Sequence, residues 1–278
     1  GELAQVSGRN VGDDYYPVAG DGGNAGAAGR CWHDAGVAVR GPLVADVAAL
    51  LQQDWQGRVQ GGERRDWLLD LGRKMTRAER HLAEAAHRAA QHANRGWAGG
   101  AGLAAPCGPS RAALTVNRGT LHTGLANSAY AVAVARAQRE VCLANAYFLP
   151  GRRLRVALVK ALRGKVAVRI LLPAARVNDV KLAGLAMEHG LSRFLRRGAQ
   201  VRLVHDTMLH AKFGVVDGLV WTVGSANLDR LSLHRNLEAN VVGAGDCAPL
   251  VEAFEAWWAG AEAWTSSEAL KAMPDFVE

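Results

Sequence analysis

The sequence predicts an α/β protein, a mixed sheet covered by helices on both faces, in two related lobes of which the first is incomplete. Three observations predict it. From about residue 112 onward, strand-like and helix-like segments alternate, which implies a sheet with helices packed on it. Asp217-Gly218 stands between two short apolar runs, a strong hairpin signal that adds antiparallel strands to the sheet. A loose internal repeat also runs through the chain. Gly8-Arg9-Asn10, then Trp32-His33-Asp34, then VAVRGPLVADVAALLQQDW, is answered by Ser225-Ala226-Asn227, then Asn236-Leu237-Glu238, then ANVVGAGDCAPLVEAFEAW. Both copies read as a polar triplet, an acidic residue, a strand, a helix and a tryptophan.

The elements follow in order. Residues 2–7 read as a short strand, and the glycine-rich stretch 18–30 as a flexible loop. Alternation over Ala35–Arg40 predicts a strand, and Pro42 opens a helix to about Trp55, proline being suited to a first turn. Thr76 and Glu79 form a capping box ahead of an alanine-rich helix to about Asn94. Residues 96–110, rich in glycine and proline, read as a linker between lobes. Beyond it the pattern predicts helices over 125–139, 152–163, 179–197 and 247–263. The predicted strands are 141–144, 166–172, 200–205, 211–216, 219–223 and 237–243. The expected organisation is a first-lobe remnant at 1–55, a helical insert and linker at 56–111, a second lobe at 112–265 and a tail at 266–278.

Bulk properties narrow the partners. With 278 residues and 49% hydrophobic composition, the chain can fill a sizeable core. Its net charge of +7 favours anionic partners: phosphate esters, nucleic acid or acidic lipid headgroups. Cys31, Cys107, Cys142 and Cys247 are scattered without zinc spacing and read as reduced thiols, most of them packing. No apolar run reaches the roughly 18 residues a membrane span needs.

The chemistry lies in His210-Ala211-Lys212, with Asp217 five residues on and Gly224-Ser225-Ala226-Asn227 after the hairpin. Residues i and i+2 of a strand share a face, so His210 and Lys212 are expected to project together. The hairpin then returns Ser225 and Asn227 beside them. An imidazole, an ammonium, an amide and a hydroxyl at one point suit a phosphodiester. Lys212 and Asn227 can hold its non-bridging oxygens, and His210 can exchange protons or carry phosphorus. Gly224 is expected to permit a close backbone approach. Asp217, at its turn, reads as structural before catalytic, and Ser225 as a phosphate ligand or a turn hydroxyl. Glu238 is expected to orient an imidazole, and Asp34, by the repeat, to do the same in the other half-site. His189, His205 and His234 read as bystanders, and His81, His87 and His92 as solvated. The basic series Arg152, Arg153, Arg155, Lys160, Arg163 and Lys165 reads as a surface for anionic lipid or as a solvated helix face.

HxKxxxxD followed by GSxN resembles the second active-site motif of the phospholipase D superfamily. The continuation Asn227-Leu228-Asp229-Arg230-Leu231-Ser232, then Asn236 to Asn240, resembles the bacterial cardiolipin synthases. So do Ala144 to Gly151, and Gly8-Arg9-Asn10 with Asp13-Asp14-Tyr15. The resemblance covers 1–55 and about 112–262. It implies a two-lobed phospholipase D-like fold with one HxK per lobe and both histidines meeting at one site, with no metal and no organic cofactor. One histidine, commonly the N-terminal, attacks phosphorus; His210 would then be the acid and afterwards the base. Asn10 would face the site from the other lobe as the remnant of a first half-site, and His33 falls after its triplet, where it cannot replace the missing histidine. The implied activity is phosphatidyl transfer between phospholipids through a phosphohistidine, on the cytoplasmic face of a bacterial cytoplasmic membrane, with phospholipids and an anionic membrane surface as partners. The chain is expected to be a truncated form, inactive alone, with a homodimer as a conceivable second source of histidine. The rivals are a phospholipase D, phosphodiesterase or nuclease of the same superfamily, and an inactive module that binds anionic lipid or phosphate.

Overall fold

The computed structural model describes residues 2–8, 32–59, 111–118, 125–229 and 236–265. The expected helix over 76–94, the linker at 96–110, Asn10, Asp13 to Tyr15, His234 and the 266–278 tail lie outside the described residues.

The elements are β1 (Ala4–Ser7), β2 (Gly36–Val39), α1 (Leu43–Val59), β3 (Arg111–Arg118), α2 (Leu125–Ala135), β4 (Glu140–Ala144), α3 (Arg152–Arg163) and β5 (Ala167–Pro173), followed by α4 (Lys181–Gly190), α5 (Ser192–Leu195), β6 (Gln200–Val204), β7 (Phe213–Val216), β8 (Val220–Gly224), β9 (Leu237–Ala244), α6 (Ala248–Gly260) and β10 (Glu262–Ala263). β1 and β2 form an antiparallel pair. The other strands make one eight-stranded mixed sheet, ordered β10-β6-β5-β4-β7-β8-β9-β3. β4, β5 and β6 run parallel, and the remaining pairings are antiparallel.

Strand alternation gives the sheet two faces. Val141, Leu143, Val168, Ile170, Leu172, Val201 and Leu203 point to one core, with Tyr130 and Val134 of α2, Leu154 and Leu158 of α3, Met187 of α4 and Phe194 of α5. Cys142, Ala144, Leu171, Phe213, Val215, Trp221 and Val223 point to the other. Phe254 and Trp258 of α6 meet them there, as do Val6, Val39 and Val47 of the N-terminal elements. The small β1–β2 unit is therefore packed against the large sheet. α3 shows why these helices form: its buried Leu154, Ala157, Leu158, Ala161 and Leu162 fall at helical spacing while charged residues face outward.

Two elements depart from expectation. The helix expected over 179–197 divides at Gly190–Leu191 into α4 and α5, where the Leu191 and Phe194 N–H groups make three-residue turns back to Glu188 and Leu191. β3 pairs with β9 along its whole length, though the sequence carries no strand signal there that we recognised. Its buried side chains are Thr115 and Asn117, polar where a core-facing strand shows apolar residues.

Candidate active site

β7 runs antiparallel to β4, so its first residue, Phe213, lies opposite Ala144 at the end of β4. His210 and Lys212 just precede Phe213 and stand at the C-terminal ends of the parallel strands, where open α/β sheets bind ligands. They lie before β7 rather than on it, so the strand expected over 211–216 is shorter than the pattern suggests. What holds them is the 32–34 segment. The His33 N–H donates to Met208 O at 2.9 Å, and His33 O accepts from the His210 and Ala211 N–H groups at 2.7 and 2.9 Å. That places Asp34 beside the His210 ring, with Nδ1 3.0 Å from Asp34 Oδ2 and the carboxylate wholly buried. Asp34 Oδ1 accepts the Ala35 N–H at 2.7 Å, which fixes the carboxylate.

The tautomer follows from these contacts. A carboxylate only accepts, so Nδ1 carries the proton and Nε2 keeps its lone pair. Lys212 Nζ lies 2.9 Å from Nε2 and 2.7 Å from Nδ1. With the Nδ1 hydrogen given to Asp34, Nε2 is the nitrogen that can accept from the ammonium. Lys212 also donates to the His210 carbonyl. It is 2% exposed, and burial pulls its pKa down to about 8 against the opposing pull of Asp34, Glu238 and Asp179. Gly8, at the end of β1, lies over this lysine: a Cβ there would sit 2.6 Å from Lys212 Cδ and 3.0 Å from Gly224 O.

Gly224 donates its N–H to Lys212 O at 3.2 Å, which brings the Ser225–Asn227 turn alongside the lysine. Its lack of a side chain serves the sheet: a Cβ would stand 2.3 Å from Ala239 O and 2.5 Å from Asn240 Cα. The close approach expected at Gly224 is therefore that of β9. Ser225 Oγ donates to Glu238 Oε2 at 2.5 Å and accepts the Ala239 N–H at 3.0 Å. The Asn236 amide donates to Glu238 Oε1 at 3.3 Å. Asn227 Oδ1 is buried without a partner among the described residues. The turn is tied to β4 by Asn145, whose Oδ1 accepts the Leu228 N–H at 3.0 Å and the Tyr147 N–H at 3.1 Å.

Set beside the expectations, His210 and Lys212 come together with the Gly224 backbone, while the Ser225 hydroxyl goes to Glu238 and the Ala239 N–H. Asp34 joins them in a different role, because it backs His210 itself. Glu238 does not meet the His210 ring; its oxygens hold Ser225 and Asn236. Asp217 does not reach the site. It sits at the far end of β7 with φ of 56°, and its carboxylate accepts the N–H groups of Gln138, Arg139 and Glu140 at 2.8–3.3 Å. It is a structural residue. Sequence reasoning missed Asn145, Trp32, whose ring centroid lies 5.4 Å from that of His210, and Gly8 as the lid of Lys212. The second GSxN-like triplet, Gly8-Arg9-Asn10, was the signal for Gly8. His33 stacks on Trp257 at 5.2 Å, and His205 lies 3.5 Å from Glu262, so neither joins the site. Cys142 and Cys247 are buried. No group of His, Cys, Asp and Glu suited to holding a metal occurs among the described residues.

A carboxylate-backed imidazole whose Nε2 faces a buried ammonium is suited to phosphorus chemistry. Residues 131–259 match the family model described as cardiolipin synthase, PLD-like domain. The chain is 39% identical over 113 residues to cardiolipin synthase B of Shigella flexneri, a match covering 41% of this chain and 27% of that protein. It is 27% identical over 240 residues to the cardiolipin synthase of Geobacillus sp. (strain WCH70), covering 86% of this chain and 40% of that protein. The fold matches the crystal structure of phosphatidylserine synthase from Haemophilus influenzae with a TM-score of 0.55 at 17% identity, over 88% of this chain and 59% of that one. The matched part spans 27% and 40% of the two cardiolipin synthases. Residues 131–259, somewhat under half of the chain, are thus similar to the phospholipase D-like domain of cardiolipin synthases.

Proposed function

We propose that the chain supplies one half-site of a phosphatidyltransferase that joins two phospholipids, as in cardiolipin formation from phosphatidylglycerol. The observation that carries this is Asp34 on Nδ1 and Lys212 at Nε2 of His210, in a domain whose sequence relatives are cardiolipin synthases.

The chemistry needs two imidazoles on opposite sides of phosphorus. One attacks and forms a phosphohistidine while the other protonates the leaving glycerol alkoxide. The second then takes the proton of the acceptor hydroxyl, whose oxygen displaces the histidine to give cardiolipin. His210 fits the acid and base role: as an imidazolium it is stabilised by Asp34, and once neutral its Nε2 lone pair is ready for the acceptor proton. Lys212 lowers the charge built up on the phosphoryl oxygens, and Asn227 is assigned to help it. Glu238, on Ser225, is the acid we assign to a second imidazole, the part Asp34 plays for His210. Asn10 belongs to that second half-site.

The sequence holds one HxK, so the second imidazole comes from a further stretch of the protein or from another copy. The reaction is placed at the cytoplasmic face of a bacterial cytoplasmic membrane, which the protein touches peripherally. No helix of the described residues is long and apolar enough to cross a membrane.

The test is product analysis of the 278-residue chain with phosphatidylglycerol vesicles and with single-stranded oligonucleotide, across protein concentrations. Cardiolipin and glycerol, formed with a steeper than linear dependence on concentration, support the reading with the histidine supplied by a second copy. Phosphatidic acid alone means a hydrolase, and cut oligonucleotide a nuclease. Phosphate binding without turnover at any concentration leaves a binding module or a half-site awaiting the rest of the protein. A rate strictly proportional to concentration and abolished by His210→Ala overturns the two-imidazole scheme.

A further inference from the structure

α4 rests on the turn that follows β5. A Cβ on its Gly184 would meet the Ala175 backbone at 2.8 Å, and its Glu188 Oε1 accepts the Ala175 N–H at 2.7 Å. With Met187, these residues are its buried face. The outward face carries large aliphatics beside the exposed Lys181 and His189: Leu182 is 80% exposed, Leu185 39%, and Val180, just before the helix, 49%. Leu149, 36% exposed, lies by the C-terminal end of the same helix, its Cδ2 4.0 Å from the Cβ position of Gly190.

Large aliphatic side chains grouped on a surface mark a site of contact. Here the surrounding charge is basic, since Arg152, Arg153, Arg176 and Lys181 are all exposed. The acid at this rim, Asp179, is hydrogen-bonded to the Tyr147 hydroxyl. Leu149 and Arg152 follow β4, and Val180 follows β5, so the whole rim belongs to the end of the sheet where His210 and Lys212 stand.

We propose that Leu149, Val180, Leu182 and Leu185, with Arg152, Arg153 and Lys181 exposed at the same end of the sheet, form the surface on which the protein docks to an anionic phospholipid bilayer with the half-site facing the headgroups. Basic residues around inserted aliphatics give attraction to anionic headgroups plus a purchase at the acyl boundary. The basic series on α3 does not act as one patch. Arg152 and Arg163 lie at opposite ends of a helix of 12 residues, roughly 16 Å apart along its axis, so Lys160, Arg163 and Lys165 face away from the rim. The inference rests on the phosphatidyl-transfer reading for the location of the substrate, and on the rim itself for the contact.

The test is co-sedimentation of the full chain with phosphatidylglycerol-containing vesicles and with phosphatidylcholine vesicles, for wild type and three double variants. L182Q/L185Q is expected to weaken binding to the anionic vesicles roughly tenfold. R152A/R153A should lower it and flatten its salt dependence, and K160A/R163A should leave it unchanged. An unchanged response of His210 to inorganic phosphate in L182Q/L185Q shows that the fold survives. Full vesicle binding by L182Q/L185Q overturns the proposal, as does loss of binding in K160A/R163A. Conversion of a dimer to a monomer by L182Q/L185Q also overturns it, because a second copy would then be the occupant. Rim-dependent vesicle binding without phosphatidyl transfer sinks the functional reading alone. Cardiolipin made from detergent-dispersed lipid by a chain that ignores vesicles sinks the docking alone.

Discussion

Asp34 Oδ2 and His210 Nδ1 lie 3.0 Å apart although 176 residues separate them in sequence. The N-terminal segment therefore completes the half-site of the large sheet, and the contact fixes which ring nitrogen faces substrate. Removing the carboxylate in Asp34→Ala leaves the Nδ1–H donor without its acceptor in a closed environment, at a cost of about 1–3 kcal/mol in denaturant unfolding. The downfield Nδ1–H proton resonance of His210, slow to exchange in wild type, should vanish in the variant. Its persistence would mean another acceptor holds the ring.

Lys212 gives a prediction in pH. Its folded-state pKa of about 8 lies below the ordinary lysine value of 10.5, so the unfolded chain holds this proton more tightly. This contribution therefore destabilises the fold at neutral pH, and the penalty fades as pH rises from about 8 towards 10.5. Lys212→Met should be more stable than wild type at pH 7 by about 1–3 kcal/mol, the gap closing in alkali. Phosphate binding needs the ammonium, so wild-type affinity should fall above pH 8 and be lost in the methionine variant. Unfolding curves and phosphate titrations at several pH values check both limbs.

Gly8 touches the same lysine from above. In Gly8→Ala the new methyl group would stand 2.6 Å from Lys212 Cδ, between it and Gly224 O at 3.0 Å. The lysine has to move, and we expect about 1–2 kcal/mol of lost stability together with a several-fold weaker phosphate affinity. Unaltered phosphate binding in this variant would show that β1 does not set the lysine position.

Asp217 separates stability from chemistry. Its carboxylate accepts three backbone N–H groups at the start of β4, and its φ of 56° disfavours alanine. Asp217→Ala should cost about 2–3 kcal/mol in unfolding while phosphate affinity at pH 7 stays that of wild type. A variant of full stability but without phosphate binding would restore the acid to the site.

Much of this was legible in the sequence because it depends on local pattern. α3 was read to the residue, the Asp217-Gly218 turn carries the positive φ values it implied, and the HxK and GSxN segments meet as the hairpin requires. What failed depends on distant contacts. The repeat suggested that each acid serves its own lobe, whereas the 32–34 segment crosses to pair with 208–211, so Asp34 and not Glu238 reaches His210. β3 was invisible because its buried positions are Thr115 and Asn117, the threonine hydroxyl spent on Asn240 O at 3.0 Å. The break at Gly190 is not legible in the pattern either, because helix-forming residues continue through it from α4 into α5.

The central claim is that His210 presents Nε2 to phosphorus beside Lys212 while Asp34 holds Nδ1. The most direct measurement is nitrogen-15 NMR of the His210 ring in the full chain, titrated with inorganic phosphate at pH 7. The account predicts a saturable shift of the Nε2 resonance, a nearly stationary Nδ1, and loss of the response in Lys212→Met. Saturable phosphate binding that leaves both ring nitrogens unmoved, or that persists undiminished in Lys212→Met, would contradict it.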